Sequence, residues 1–138
     1  MIAIIFSFLL LIGPAKNNLS VDHVWMRPAD KGMNSAMYFK IVNNSGKPDT
    51  LYKVTSGAAE LVQIHETFMK NGLMGMREIK YVAIPAHSSV IFKPGGYHVM
   101  FIKLKKDLKV KKRASALLLF KSGLKIKVRP VIHIQKGK

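Results

Sequence analysis

Two histidines and two methionines stand at spacings that could hold a metal ion. His65 is followed by ten residues and Met76, then by twenty-one residues and His98-Val99-Met100. Thioether sulfur is a poor ligand for Mg, Ca or Mn, and Zn prefers thiolate, imidazole and carboxylate. Met with His and no Cys therefore points to copper, and to Cu(I) first. Local geometry brings part of the set together. Asn71-Gly72 favours a two-residue type I′ loop, because both residues tolerate positive φ. With that loop Lys70 faces Leu73, Met69 faces Met74, Thr67 faces Met76 and His65 faces Glu78. His65 and Met76 become diagonal neighbours on one sheet face, with Cα atoms about 7–8 Å apart. A bulge at Gly75 would break this register. His98 and Met100 are two apart in a second strand and share a face.

Elsewhere the chain alternates short β segments with turn clusters. The segments expected are 21–25, 35–43, 50–56, 59–69, 73–79, 80–83, 89–93, a strand opening at Tyr97, then 115–121 and 124–134. Residues 35–43 (SAMYFKIVN) alternate imperfectly, as in a sandwich strand buried on both faces. In the last segment Leu124, Ile126 and Val128 point inward, and Lys125, Lys127 and Arg129 outward. Seven or more such segments without helical periodicity predict an all-β Greek-key sandwich or barrel. The chain has 138 residues, enough for one domain with a core. His23 and His87 are expected on the surface. Met33 and Met37 are read as loop and core packing rather than as ligands. Glu66 falls on the face opposite His65, beside Arg77. Met69 and Met74 form either a thioether rim beside the site or ordinary flexible packing.

The pattern H-x10-M-x21-H-x-M resembles the signature of the PCu(A)C copper chaperones. The flanking residues agree: His65-Glu66, Asn71-Gly72, Met76-Arg77, Ile84-Pro85-Ala86, and Lys93-Pro94-Gly95-Gly96-Tyr97-His98-Val99-Met100. The similarity runs from about Val21 to Val131, and its Trp-x-Arg-Pro start (Trp25 to Pro28) implies Trp25 in the core. It implies a cupredoxin-like sandwich with the metal near one end, close to solvent. It implies Cu(I) held by His65, Met76, His98 and Met100 and delivered to a copper-accepting protein. The acceptor implied is the dinuclear copper centre of cytochrome c oxidase, beside a thiol-bearing assembly factor, with the chaperone acting as a monomer. Some relatives extend the C-terminus with His and Met. Here only His133 is present, so no second copper site is expected in the tail.

Residues 1–12 are nearly all apolar and precede Gly13-Pro14-Ala15. A run of that length is short of the about 20 residues a bilayer needs and suits a signal-peptide core, although no Lys or Arg precedes it. A leader over residues 1–15 and a single mature domain over 16–138 are expected, exported to the periplasm. There is no cysteine, which excludes disulfides, thiolate metal sites, blue copper and Cys nucleophiles. No nucleophile–base set or paired acids stand out, so an enzyme is not expected. Lys and Arg number 23 against seven Asp and Glu, a net charge of +16. Residues 103–113 (KLKKDLKVKKR) hold seven of these cations against one Asp, and read either as a solvated loop or as a docking patch. Export argues against nucleic acid. Contact with an anionic membrane surface or an acidic protein is compatible with the charge. The alternative function is thus an exported basic binding module with no metal role.

Overall fold

The computed structural model describes residues 18–135. The leader expected over residues 1–15 lies outside them, as do residues 136–138. Among the described residues eleven strands make two sheets. They are β1 (Leu19–Met26), β2 (Ser35–Asn43), β3 (Asp49–Thr55), β4 (Ala59–Lys70), β5 (Leu73–Glu78), β6 (Val82–Ile84), β7 (Ser88–Phe92), β8 (Tyr97–Leu104), β9 (Ala116–Phe120), β10 (Lys125–Val128) and β11 (Val131–Ile132). The larger sheet has the order β11-β1-β2-β7-β8-β4-β5, and the smaller the order β10-β9-β3-β6. No helix occurs among the described residues. The expected all-β sandwich is observed, with strands distant in sequence paired as Greek-key connections require.

The core lies between the sheets. The large sheet contributes Met26, Met37, Phe39, Ile41, Ile64, Val99 and Phe101. The small one contributes Leu51, Val54, Ile84, Leu118, Phe120 and Val128. Phe39 and Phe92 stack with ring centroids 4.3 Å apart. Burying each of these side chains contributes about 1.5–3 kcal/mol before ordering costs. β2 is covered on both faces: its residues 35–39 are all buried, including Tyr38 on the side away from the core.

Three expectations need correction. Trp25 is not in the core. The β1–β2 register shifts between Asp22 and Trp25, where His23 takes φ 54°. That extra residue turns Trp25 onto the outer face, half-buried against Tyr38 at 4.7 Å, and gives the core position to Met26. The last segment is not one strand. Its alternation holds through β10, and then buried Pro130 ends the ladder and the chain crosses to the other sheet. There β11 pairs parallel with β1. A strand proline donates no backbone hydrogen bond, which explains the break. Lys103 and Leu104 belong to β8 rather than to the basic loop. The loop after them is anchored by a bridge between Ala29 and Leu108 and another between Arg113 and Val131.

Candidate metal centre

β4 and β8 are antiparallel neighbours, and His65 lies directly opposite His98. The next pairs are Ile64 with Val99 and Gln63 with Met100. The pleat sends alternate residues to opposite faces. Ile64 and Val99 point into the core, so His65, His98, Gln63 and Met100 share the outer face of the large sheet. The imidazole centroids are 5.5 Å apart. Hydrophobic burial of the intervening residues thus fixes where the two imidazoles stand.

β5 brings the third position. Its register with β4 is continuous: His65–Glu78, Thr67–Met76, Met69–Met74 and Lys70–Leu73. This is the pairing expected from Asn71-Gly72, whose φ angles are 54° and 76°. No bulge occurs at Gly75. That glycine has a packing role instead, since a Cβ there would lie 2.6 Å from the Phe68 ring. Arg77 lies over the same ring at 4.9 Å and pairs with Glu66 at 2.7 Å. These contacts form on the face away from His65, so Glu66 is not available to the site. Met74 and Met76 project from the hairpin's other side.

Met74, Met76, His98, Met100 and Tyr38 line a cleft of about 390 Å³ on this outer face. Pro94 and Gly95, from the turn before β8, also line it. Gly95 has φ 85°, a conformation glycine adopts without strain. Ala36 lies opposite Met100 on β2, and its small side chain leaves the cleft open. His65 joins the group through its pairing with His98 rather than through the cleft wall. Met76 is 58% exposed and His98 only 3%. The structure therefore brings all four residues onto one face, with the imidazoles inside and one thioether toward water. Met37 is core and Met33 is exposed in a loop, as expected.

Hydrogen bonding sets the imidazole tautomers. His98 Nδ1 donates to the Gly96 carbonyl at 3.2 Å. His65 Nε2 donates to Gln63 Oε1 at 2.8 Å. In a neutral imidazole the other nitrogen then carries a lone pair. Those nitrogens, His65 Nδ1 and His98 Nε2, are buried and have no hydrogen-bond partner. Among the described residues they are the buried side-chain nitrogen or oxygen atoms in that condition. Leaving such atoms unpaired costs about 1–3 kcal/mol each. Gln63 and Gly96 were not anticipated from the sequence. The signal for both was position, two residues before a ligand-type histidine.

Burial lowers the His65 pKa, the nearby His98 lowers it further, and Glu78 partly opposes them. The unfolded chain protonates this residue near the ordinary value of about 6.5. Between the folded value and 6.5 the unfolded state binds more protons. The stabilisation is therefore complete above 6.5 and is lost as pH falls through the folded value. In an NMR titration of the metal-free protein, His65 is expected to titrate below the ordinary histidine midpoint. A midpoint at or above it would contradict the desolvated, unpaired environment.

No three His, Asp or Glu side chains gather into a metal-holding group among the described residues. The thioethers of Met76 and Met100 stand on the same face as the two imidazoles.

The LpqE-like family model, "Putative lipoprotein LpqE-like", matches residues 19–132. Similar proteins include "Putative lipoprotein Lxx21020" of Leifsonia xyli subsp. xyli, 36% identical over 113 residues, covering 80% of this chain and 67% of that protein. "Uncharacterized protein RP573" of Rickettsia prowazekii is 33% identical over 100 residues, covering 69% of this chain; the chain spans about half of that protein, 55%. Among solved structures, the apo PCuAC domain from PmoF1 superposes with a TM-score of 0.73 at 28% identity, covering 86% of this chain and 95% of that one. The copper-bound PCuAC domain from PmoF2 gives 0.71 at 24% identity, covering 86% and 94%. Apo-DR1885 from Deinococcus radiodurans gives 0.67 at 22%, covering 89% and 83%.

Proposed function

Because the chain belongs to the LpqE-like family and has the fold of PCuAC domains, we propose that it is an exported copper metallochaperone whose cargo is Cu(I). The observation that carries this reading is the pair of unpartnered buried nitrogens, His65 Nδ1 and His98 Nε2, on the face that also holds Met76 and Met100. Both lone pairs are set by hydrogen bonds on the far side of their rings, the arrangement that orients metal-bound histidines. Two imidazoles and two thioethers suit Cu(I). All four ligands are neutral, so binding requires no thiol deprotonation and the bound ion keeps its positive charge. The copper-bound PCuAC domain from PmoF2 shares the fold and supports copper as the ion.

Cargo leaves by ligand exchange. Sulfur or imidazole ligands of a copper-accepting protein replace the thioethers first, because Met76 is exposed while His98 is buried. The resemblance of the motif favours delivery to the dinuclear copper centre of cytochrome c oxidase, directly or through a thiol-bearing assembly factor. The protein acts as a monomer in the periplasm, with residues 1–15 removed as a signal peptide. It is not an enzyme: its chemistry is binding and release.

The test is an anaerobic Cu(I) titration of residues 16–138 against a chromogenic Cu(I) chelator, beside a Met76→Ala, Met100→Ala double variant. One tight equivalent is expected for the wild type and its loss in the variant. A wild-type protein that takes no copper from the chelator overturns the proposal. Salt-sensitive binding to anionic surfaces without metal would then favour the basic-module reading.

A further inference from the structure

We propose that Met74 is a third thioether for copper, used during transfer rather than at rest. This inference rests on the Cu(I) reading above. Met74 and Met76 are two apart on β5 and project from the same face. Their backbone positions are about 7 Å apart. Methionine has three rotatable side-chain bonds and fits irregular geometry, so two such residues can reach one ion across that distance.

The cleft distinguishes Met74 from its neighbour. Met74 lines the same cleft as Met76, His98 and Met100, whereas Met69, directly across the hairpin from Met74, does not. Exposure rises outward along this series, from His98 at 3% through Met76 at 58% to Met74 at 69%. Donors are thus graded from a buried imidazole to a thioether that meets solvent. Phe68 packs on Gly75 from the opposite face and presents Met74 and Met76 as one unit.

The step is a ligand substitution with no change of oxidation state. A Cu–S bond forms to Met74 Sδ as the bond to Met76 Sδ breaks. Both sulfurs are neutral, so no proton moves and the ion keeps its charge. Held by Met74, the ion lies closer to solvent, where an incoming donor can bind it. Met74 thereby lowers the barrier to exchange without adding to the resting affinity.

Met74→Leu keeps the size and apolarity of the side chain and removes only the sulfur. Wild type, Met74→Leu and Met69→Leu would be loaded with Cu(I) without oxygen and mixed with excess chromogenic chelator in a stopped-flow instrument. Equilibrium affinity would be measured in parallel. Transfer from Met74→Leu is expected to be about tenfold slower, equivalent to about 1.4 kcal/mol of barrier. Its affinity is expected to stay within about threefold of wild type. Met69→Leu is expected to match wild type in both. Wild-type transfer rates in Met74→Leu, or equal slowing in Met69→Leu, would overturn the assignment. Loss of resting copper from Met74→Leu would also overturn it, by making Met74 an ordinary ligand. A wild-type protein that binds no copper would instead refute the function on which the inference rests.

Discussion

His98→Ala is expected to weaken Cu(I) binding by about 10³-fold or more. Loss of a residue that merely orients a metal ligand costs about 10–100-fold, and loss of the ligand itself exceeds that. His98 has the most to lose. It is nearly fully buried, and Gly96 fixes its tautomer. Its Nε2 also lacks any competing protein partner. The thioethers, by contrast, are flexible and Met76 is largely in water, so each is held less firmly before copper arrives. Competition with the chelator measures the loss, and a thermal melt of the metal-free variant separates it from unfolding. Wild-type affinity in a folded His98→Ala protein would remove His98 from the site.

Phe39→Ala is expected to destabilise the fold by about 3–5 kcal/mol, the range for truncating a buried phenylalanine. That is a large part of the about 5–15 kcal/mol that holds a typical domain together. Phe39 is 2% exposed and stacks on Phe92, joining β2 to β7 at the middle of the large sheet. The melting temperature of the metal-free protein should fall by about 10 °C or more. The substitution lies on the inner face, while the neighbouring Tyr38 and Ala36 face the cleft. Under conditions where the variant is folded, its Cu(I) affinity should remain close to wild type. A melting temperature within a degree or two of wild type would mean that the Phe39–Phe92 stack contributes little.

The part of the site that local chemistry determines was legible in the sequence. Asn71-Gly72 specifies the hairpin loop, and the loop specifies that His65 faces Glu78 and Thr67 faces Met76. The spacing of His98 and Met100 puts them on one face by strand geometry alone. The pairing of β4 with β8 was not legible from periodicity. It pairs residues more than thirty positions apart, and only the motif resemblance implied that the two pairs meet. The core position that the Trp-x-Arg-Pro resemblance implies for Trp25 goes to Met26, because the irregularity at Asp22–Trp25 adds a residue to β1 and no residue pattern announces it. The crossing at Pro130 was missed because hydrophobic alternation continues across it. The proline was visible in the sequence and is the physical reason the ladder stops. The hydrogen bonds from His65 to Gln63 and from His98 to Gly96 needed side-chain geometry. No residue pattern states which imidazole nitrogen is left bare.

The crossing at Pro130 has a consequence for how the protein assembles. Trp25 pairs with Val131 and stacks on His133 at 4.4 Å, so the rung that completes the large sheet joins the first strand to the end of the last. Contacts between such distant segments carry the largest loop-closure cost in the fold, because the intervening chain is long. Trp25 is the only tryptophan in the chain and stands between Tyr38 and His133. Its fluorescence therefore reads the junction of β1, β2 and the segment after β11, a place where segments more than a hundred residues apart in sequence meet.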